Sequence, residues 1–469
     1  MPRCDLPTTN PAILATGHTL DVDTWRTHLN NNMLVIGPSG SGKTRHVLKP
    51  NLMQMNASFI VLDTKGLLCR EMGPLLAAHG YRVQNINFSN MDADSPVCAQ
   101  AVGYDPLAFI RRSRDGNKPC AQDIISIAKA ICPIESMKDP FWDNAAANLL
   151  SCIIGYAVEQ LPQREQTFRS VIEMVEGLGD GSTLALLGEA IETDPGSHCA
   201  RSFLRYRSTI GAEKMNSSIM GILAEKVMCL ALDEALDLYA RADQVDFAHM
   251  GHEPVALFVT LSDMDRSLDP LTNLFLTQAL TSLGREADAQ PNGSLPVPVR
   301  LFLDDFGNFF IPNFEQAISV VRSKNIWCTM LCQTTSQLVD RYGESSAHTI
   351  IGNCDTQLVL AFQDIQTALC FRDRANRPVN TLLTTPLDRS WLFLRGRVGE
   401  LVERYDVETH PLHAEALSWA EGGAARRGER GAARPCGDPA ASNEPTVDLD
   451  DPLATDFIMV LDEEPPFTC

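Results

Sequence analysis

The 469-residue sequence has no uninterrupted apolar stretch of about 18 residues, the length that a membrane-spanning helix requires. Its longest candidate, residues 149–158, is too short and favours a buried helix. The pattern of a secretory signal peptide is also missing at the N-terminus. We therefore expect no membrane-spanning helix in this sequence.

The sequence contains cysteines, but they do not have the spacing of metal ligands. The fourteen cysteines form no C-x-x-C pair and have no histidines at metal spacing. Scattered thiols of this kind are typical of a reduced, cytoplasmic protein and exclude a zinc module or a disulfide framework. Cys328 and Cys332 fall on one face of a predicted strand, which favours core packing over a pair of metal ligands.

An excess of positive charge is missing as well. Acidic residues outnumber basic ones, and the net charge is −20. This excludes a uniformly basic nucleic-acid-binding surface but leaves a local basic channel open. The length predicts two or three domains, and the ordinary hydrophobic content is sufficient for sizeable cores.

A glycine-rich loop is the strongest feature that is present. It follows the apolar run Met33–Ile36, which reads as a buried strand, and fits the pattern G-x-x-x-x-G-K-[ST] with Gly37, Pro38, Ser39, Gly40, Ser41, Gly42, Lys43 and Thr44. Glycines let successive N–H groups face a phosphate, and the N-terminus of the next helix adds its positive end. Lys43 would contact the β- and γ-phosphates, and the Thr44 hydroxyl would ligate Mg²⁺. An ordinary glycine-rich turn is the alternative to this predicted ATP site.

Paired carboxylates end a second apolar run, residues 301–305. Because ligands bind at the carboxyl ends of strands in open parallel sheets, we predict that Asp304 belongs to the Mg²⁺ shell and that Asp305 orients the attacking water. A helix cap or an exposed turn is the alternative. Gln333 directly follows the next predicted strand and is predicted to sense the γ-phosphate or to position water.

Arg322 ends the predicted helix between these two strands. Its place in the chain keeps it away from its own P-loop, which fits an arginine finger that reaches the nucleotide of a neighbouring subunit. The alternative is a solvated arginine near the negative end of a helix dipole.

Alternating strand and helix signals around both motifs predict an α/β fold with a mostly parallel central sheet. Residues 107–248 instead show helical periodicity, which favours an inserted all-helical domain over a set of crossover helices. Helices are predicted there at 123–131, 142–159, 167–176, 182–191 and 217–239. The predicted organisation is a nucleotide-binding domain in two parts (1–106 and 249–420), the helical domain (107–248) and a disordered acidic tail (421–469).

Seven segments occur in the order of one known family. They are GPSGSGKT, VLDTKG (61–66), GYDPL (103–107), DPFWDNAAANLL (139–150), LFLDDFGNF (301–309), and the stretches 318–338 and 342–360. With these segments the chain resembles, over about residues 30–410, the conjugative coupling proteins of type IV secretion, the TraG/TraD class of DNA-pumping ATPases. The resemblance implies a RecA-like P-loop NTPase that carries an all-helical domain. It also implies a homo-hexameric ring, formed on nucleotide and DNA binding, at the cytoplasmic face of the bacterial plasma membrane.

The function that this resemblance implies is ATP-driven delivery of single-stranded DNA, or of a relaxase–DNA complex, to a type IV secretion channel. A soluble translocase of the FtsK/HerA type and a nucleotide-binding recruitment scaffold are the alternatives. A GTPase is disfavoured because D-x-x-G at 63–66 lies too close to the P-loop and no N-K-x-D follows. The sequence departs from the family in having no room for two transmembrane helices before the P-loop. It also has Asp305 where the family has Glu, and Thr64 where it has Pro.

Overall fold

The fold is described from a computed structural model of the chain. It covers residues 10–89, 98–116, 118–134, 140–209, 213–262 and 264–420. The predicted tail, 421–469, lies outside the described residues.

A ten-stranded sheet organises the described chain, in the order β12-β11-β10-β3-β9-β8-β4-β7-β5-β6. The pairs β10–β11 and β11–β12 are antiparallel, and the other pairs are parallel. The predicted mostly parallel sheet is therefore confirmed. A separate hairpin, β1–β2, precedes it. The strands are β1 (Ala12–Ala15), β2 (His18–Leu20), β3 (Met33–Ile36), β4 (Ser58–Asp63), β5 (Arg82–Asn87), β6 (Gln100–Ala101), β7 (Val255–Thr260), β8 (Val299–Leu303), β9 (Ile326–Cys332), β10 (Thr356–Val359), β11 (Arg389–Leu394) and β12 (Glu400–Glu403).

Two opposite edges of this sheet are important for the site. Strands β3, β9 and β8 run parallel as neighbours, so their carboxyl ends meet at one edge, here called the carboxyl edge. Their amino ends meet at the opposite edge, the amino edge. The residues that directly follow these three strands therefore come together at the carboxyl edge, although they are far apart in sequence.

Both faces of the sheet are covered. All residues of β3 and β8 are buried. Within β3, Leu34 and Ile36 belong to one hydrophobic core, whereas Met33 and Val35 belong to the other. A strand that is buried on both faces reads as a continuous apolar run, which explains why β3 was recognisable as a strand from sequence.

Arg300 is the exception within β8, because it is a fully buried cation. Its Nε donates to Thr329 Oγ1 at 3.0 Å, and its Nη1 donates to Asn51 Oδ1 at 2.9 Å. The guanidinium also lies 4.5 Å from the centre of the Phe302 ring. Burial lowers the pKa of Arg300 to about 9. This network connects β8 and β9 to the helix that follows the P-loop.

Helices pack on both faces of the sheet. They are α1 (Thr24–Thr27), α2 (Lys49–Met53), α3 (Leu68–Ala78), α4 (Ala121–Ile131), α5 (Phe141–Gln160), α6 (Phe168–Glu176), α7 (Ser182–Thr193), α8 (His198–Thr209), α9 (Glu213–Met228), α10 (Asp233–Ala240), α11 (Asp269–Ala289), α12 (Phe314–Val320), α13 (Thr335–Tyr342), α14 (Glu344–Gly352), α15 (Ile365–Ala375) and α16 (Val379–Leu383). Single 3-10 turns occupy Pro106–Phe109, Gln163–Glu165, His249–Gly251, Phe306–Asn308, Val321–Lys324 and Val407–Thr409.

The helix after the P-loop begins with a widened turn. Thr44–Leu48 is π-helical, and the Thr44 carbonyl accepts from the Lys49 N–H before α2 continues. Pro50 explains this, because proline has no N–H and its ring clashes with the carbonyl four residues earlier, here that of His46. A π turn relieves the conflict and places an irregular turn next to the phosphate-binding loop.

The segment between β6 and β7 is mainly helical, as predicted, but two details of the prediction were wrong. The single helix expected over 217–239 is two helices, α9 and α10. The Leu230 carbonyl between them accepts from the Tyr239 hydroxyl at 3.2 Å, so a side chain of α10 satisfies a backbone carbonyl just after α9 ends. Helix α8 was not predicted. Whether 107–248 is a separate domain stays a prediction.

None of the helices in the described part of the chain is long and apolar enough to cross a membrane. The cysteines among the described residues are free thiols. Over the same ranges, no three His, Cys, Asp or Glu side chains gather in a way that could hold a metal ion.

Candidate nucleotide-binding site

The P-loop leaves β3 at the carboxyl edge and turns back on itself. The Gly37 N–H donates to the Cys332 carbonyl at 3.1 Å, and the Ser41 N–H donates to the Pro38 carbonyl at 3.1 Å. Gly40 has φ +76 and Gly42 has φ +85, a left-handed backbone that glycine adopts without strain. The glycines of the motif therefore stand where this curled backbone requires them.

Two polar groups in this loop fit a phosphate. Ser41 Oγ is buried and has no hydrogen-bond partner in the described structure. The buried Lys43 folds back over the loop, where its Nζ donates to the Gly37 carbonyl at 2.7 Å and to the Pro38 carbonyl at 3.3 Å. A hydroxyl donor and an ammonium beside curled backbone amides are the groups that recognise a phosphate chain.

A hydroxyl and a carboxylate meet across the carboxyl edge. Thr44 Oγ1 lies 3.4 Å from Asp304 Oδ2, although the two residues are 260 positions apart. Both provide oxygen atoms, the ligands that Mg²⁺ prefers. Burial, and then the neighbouring Asp305 carboxylate, raise the pKa of Asp304 to about 6, with Lys43 acting in the opposite direction. A cation here would stabilise the charged form of Asp304.

Asp305 adopts a left-handed backbone, with φ +49, directly after Asp304. Such a conformation in a residue other than glycine costs on the order of 1–3 kcal/mol and is concentrated at functional sites. Asp305 precedes the 3-10 turn Phe306–Asn308 but makes no side-chain hydrogen bond that caps it. The geometry therefore gives no support to the helix-cap alternative for this carboxylate.

Gln333 lies beside the start of the P-loop. It follows Cys332, whose carbonyl accepts from Gly37, and β9 separates the P-loop strand from β8. The Gln333 N–H donates to Gln337 Oε1 at 3.1 Å, and its own side chain is partly exposed. The structure thus brings Gln333, the P-loop and the paired carboxylates together at one edge.

Arg322 lies at the amino edge, in the turn Val321–Lys324 that precedes β9. The seven residues of β9 separate it from the carboxyl edge by roughly 20 Å. Its side chain is exposed, and Nη2 donates to the Thr24 carbonyl at 3.0 Å. The structure does not bring Arg322 together with the P-loop of its own chain.

Sequence reasoning missed three contributors to this site. Asp63 ends β4, is buried, and accepts from the N–H groups of Leu67 and Cys69 at 3.2 Å each. Burial raises the pKa of Asp63. Arg404 donates to the Ser41 carbonyl of the P-loop, and the His46 ring lies against Gly42, but no local motif marks either residue. Only Asp63 had a signal, because it ends an apolar strand at the same edge as Asp304.

The strand order and the P-loop geometry define a P-loop nucleotide-binding fold of the RecA-like class. A family model described as type IV secretory system conjugative DNA transfer matches residues 7–374. The chain therefore belongs to this family of conjugative DNA transfer proteins, and the resemblance to coupling proteins seen in the sequence is confirmed.

One curated relative and several solved structures are similar to this chain. The conjugal transfer protein TraG of Escherichia coli is 22% identical over an alignment of 368 residues, which covers 72% of this chain and 53% of TraG. The chain thus spans about half the length of the curated relative it matches.

Structures of the plasmid coupling protein TrwB resemble the fold. TrwB bound to a non-hydrolysable ATP analogue is 15% identical, with a TM-score of 0.63, and the match covers 84% of this chain and 89% of TrwB. TrwB with ADP and Mg²⁺ is 16% identical, with the same TM-score and coverage. An unbound TrwB fragment is 15% identical, with a TM-score of 0.63 over 85% of this chain and 89% of the fragment. The predicted RecA-like fold is confirmed.

Proposed function

We propose that this chain is the coupling ATPase of a conjugative transfer apparatus. It binds ATP and Mg²⁺ at the carboxyl edge and uses hydrolysis to deliver single-stranded DNA, or a relaxase–DNA complex, to a type IV secretion channel. The observation that carries the proposal is the approach of Thr44 to Asp304, at 3.4 Å, beside a curled P-loop in a chain of the conjugative DNA transfer family. TrwB, whose fold this chain shares, has been solved with ADP and Mg²⁺.

Each residue at the carboxyl edge has a distinct task in this proposal. The backbone of the P-loop and Lys43 bind the β- and γ-phosphates, and Thr44 and Asp304 hold Mg²⁺. Bound Mg²⁺ neutralises charge on the phosphate oxygens. Asp305 orients the attacking water, and Gln333 contacts the γ-phosphate or that water. All five side chains belong to one chain, so nucleotide binding needs no second subunit.

Hydrolysis requires a neighbour in this proposal. Arg322 at the amino edge acts as a finger on the nucleotide of the next subunit, in a homo-hexameric ring formed on nucleotide and DNA. Such a ring would work at the cytoplasmic face of the plasma membrane, together with the relaxase and components of the secretion channel. Residues 107–248 form the all-helical domain of the subunit, and residues 421–469 form its acidic tail.

A recruitment scaffold with little pumping activity is the second candidate. Asp305 favours it, because an aspartate is one methylene shorter than the glutamate of the family pattern and would hold the water less closely. A soluble translocase of the FtsK/HerA type would share the same site. No observation in the described structure favours it over a conjugative role, and the family match favours the latter.

Steady-state ATPase measurements with and without single-stranded DNA separate the motor from the scaffold. We expect turnover that requires Mg²⁺ and rises several-fold on addition of DNA. Lys43→Ala serves as the control for contaminating ATPases. Nucleotide binding without turnover, with or without DNA, would support the scaffold, and no nucleotide binding at all would refute the proposed function.

A further inference from the structure

The segment after β12 lies against the P-loop, although it is downstream of the range that the family model matches. Arg404 donates three hydrogen bonds, each to a backbone carbonyl. Nη1 donates to Ser41 at 2.9 Å, Nη2 to Leu360 at 2.6 Å, and Nε to Arg389 at 3.1 Å. One guanidinium thus connects the phosphate-binding loop to the end of β10 and the start of β11.

The contact with Ser41 determines the orientation of a peptide plane in the P-loop. Because a trans peptide is planar, the Ser41 carbonyl and the Gly42 N–H point in opposite directions. The Ser41 carbonyl faces Arg404, so the Gly42 N–H is directed away from Arg404. An amide of the motif is thereby oriented before any nucleotide binds, which reduces the entropy lost on binding.

The next residue supports the other side of the same peptide. The Tyr405 carbonyl lies 2.8 Å from His46 Nδ1, so the His46 ring is held by the segment after β12. That ring occupies the space that a Cβ on Gly42 would enter. Consecutive residues, Arg404 and Tyr405, therefore support consecutive residues of the P-loop, Ser41 and Gly42.

The electrostatic surroundings of Arg404 include one nearby carboxylate. The side chain is partly buried, and burial lowers its pKa, with the Asp388 carboxylate acting in the opposite direction; a guanidinium stays charged at neutral pH. Each hydrogen-bond acceptor that the described structure shows for it is a neutral carbonyl oxygen. Because Asp388 offsets part of this charge, Arg404 acts on the loop through its hydrogen bond to the Ser41 carbonyl. An exposed ion pair between Arg45 and Glu408, at 2.7 Å, contributes little to holding the segment.

We propose that Arg404 is a positioning residue for the nucleotide, and that it presets the Ser41–Gly42 peptide through the Ser41 carbonyl. The inference rests on the proposed nucleotide site and extends it to a segment outside the matched range. Because the contact is made before nucleotide arrives, Arg404 contributes to the affinity for nucleotide phosphates and much less to the hydrolysis step.

The test is the binding of ADP with Mg²⁺, measured by isothermal titration calorimetry on the full chain. Arg404→Ala is expected to weaken binding by about tenfold, the effect of losing one charge-assisted hydrogen bond to the loop. The kcat at saturating ATP should stay within about twofold, so that the change appears in KM. Arg404→Lys keeps the charge but cannot make the three hydrogen bonds of the guanidinium. Its affinity for ADP is expected to be less than about threefold higher than that of Arg404→Ala, which is less than half of the loss on a logarithmic scale.

Another partly buried arginine provides a matched control. Arg374 is also partly buried, its Nη1 donates to Gln357 Oε1 at 2.5 Å, and its guanidinium lies 5.1 Å from the centre of the Phe393 ring. It makes no contact with the P-loop in the described structure. Arg374→Ala and Arg404→Ala should both lower the melting temperature without nucleotide, but Arg374→Ala should leave the Kd for ADP unchanged.

Three outcomes would overturn the inference. Wild-type affinity for ADP in Arg404→Ala, with a lower melting temperature, would show that Arg404 only stabilises the fold. Equal losses of affinity in Arg404→Ala and Arg374→Ala would indicate general destabilisation. Wild-type affinity in Arg404→Lys would show that charge alone matters, and this variant decides the question if Arg404→Ala does not fold. If the wild-type chain binds no nucleotide, the proposed function itself fails.

Discussion

The carboxyl and amino edges of the central sheet differ in how completely they are held within one chain. At the carboxyl edge, Lys43 is buried and bonded to the loop, and Thr44 lies within 3.4 Å of Asp304. At the amino edge, Arg322 is exposed, and its side chain donates one hydrogen bond within the described structure, to the Thr24 carbonyl. One edge is preorganised for a ligand, and the other presents a cation to its surroundings.

This difference indicates which part of the proposed activity belongs to the monomer. Binding of nucleotide and Mg²⁺ uses the carboxyl edge alone. Transition-state stabilisation by Arg322 would need a second subunit, because roughly 20 Å of sheet separates it from its own P-loop. The variants below test the division between the two edges, in order of decreasing expected effect.

Lys43→Ala is expected to abolish nucleotide binding and hydrolysis, because the β- and γ-phosphates lose their cation at the preorganised edge. Equilibrium binding of ADP and steady-state ATPase measure the two properties. Thermal melting without nucleotide controls for folding, since the Lys43 contacts are to carbonyls of its own loop. Unchanged ATP turnover in the purified variant would remove the basis for a motor.

Arg322→Ala is expected to bind ATP normally but to hydrolyse it more slowly by about 10³-fold or more, the effect of arginine fingers in other NTPases. Mixing it with Lys43→Ala subunits should restore part of the activity, because each variant supplies what the other lacks at a shared interface. Turnover per chain should also rise with protein concentration or on addition of DNA.

Arg377→Ala is the matched control for Arg322, since Arg377 is another exposed arginine that donates to one backbone carbonyl. It should hydrolyse ATP like the parent. Loss of ATP binding in Arg322→Ala would contradict a division between the edges. Concentration-independent turnover with no rescue on mixing would contradict it as well.

Asp305→Asn is expected to lower kcat by on the order of 10² with little change in ATP affinity, because a water-orienting carboxylate acts mainly in the transition state. Asp305→Glu should preserve or raise kcat, since it restores the longer side chain of the family pattern. Single-turnover ATPase measurements separate these effects from product release. If Asp305→Asn hydrolyses ATP as fast as the parent, Asp305 does not orient the attacking water and has only a structural role.

Asp304→Asn is expected to stabilise the nucleotide-free protein at pH 7.5, by on the order of 1–3 kcal/mol. The pKa of Asp304 is raised to about 6, so the folded state binds a proton more tightly than the unfolded state does. The native carboxylate therefore costs stability above about pH 6, and this cost declines as the pH falls toward 4. Urea unfolding at pH 7.5 and pH 5 measures the change.

The exposed Asp340 provides the control for this measurement, because Asp340→Asn should change stability little at either pH. A destabilised Asp304→Asn at pH 7.5 would show that the carboxylate is held favourably without Mg²⁺. In that case the Asp304 carboxylate at the carboxyl edge would not need a bound cation to be stable.

Strands were the part of the fold that sequence predicted best. The predicted bounds of β3 agree with the structure to the residue, since it is a buried apolar run that ends in a glycine-rich turn. Helix α8 escaped prediction because its arginines and serines obscure the buried Cys199, Phe203 and Tyr206 at helical spacing. The break between α9 and α10 coincides with a hydrogen bond from the Tyr239 hydroxyl to the Leu230 carbonyl, which no local pattern reveals.

The candidate site divides in the same way. The P-loop and the paired carboxylates are contiguous motifs, so their chemistry can be predicted directly from the residue types in the sequence. Arg404 meets Ser41 across 363 positions of sequence, and its three partners are backbone carbonyls that any residue could supply. Only the folded chain shows that contact.

Arg300 has a mechanical consequence for the carboxyl edge. It holds β8, β9 and the helix after the P-loop in one buried network, and Asn51 extends that network to Ile13, whose N–H donates to it at 3.1 Å. Sliding that helix along the sheet would strip hydrogen bonds from a cation that water cannot reach, which is costly. The network therefore resists any sliding of this helix that would separate Thr44 from Asp304, and the spacing of these two side chains is set without a bound nucleotide.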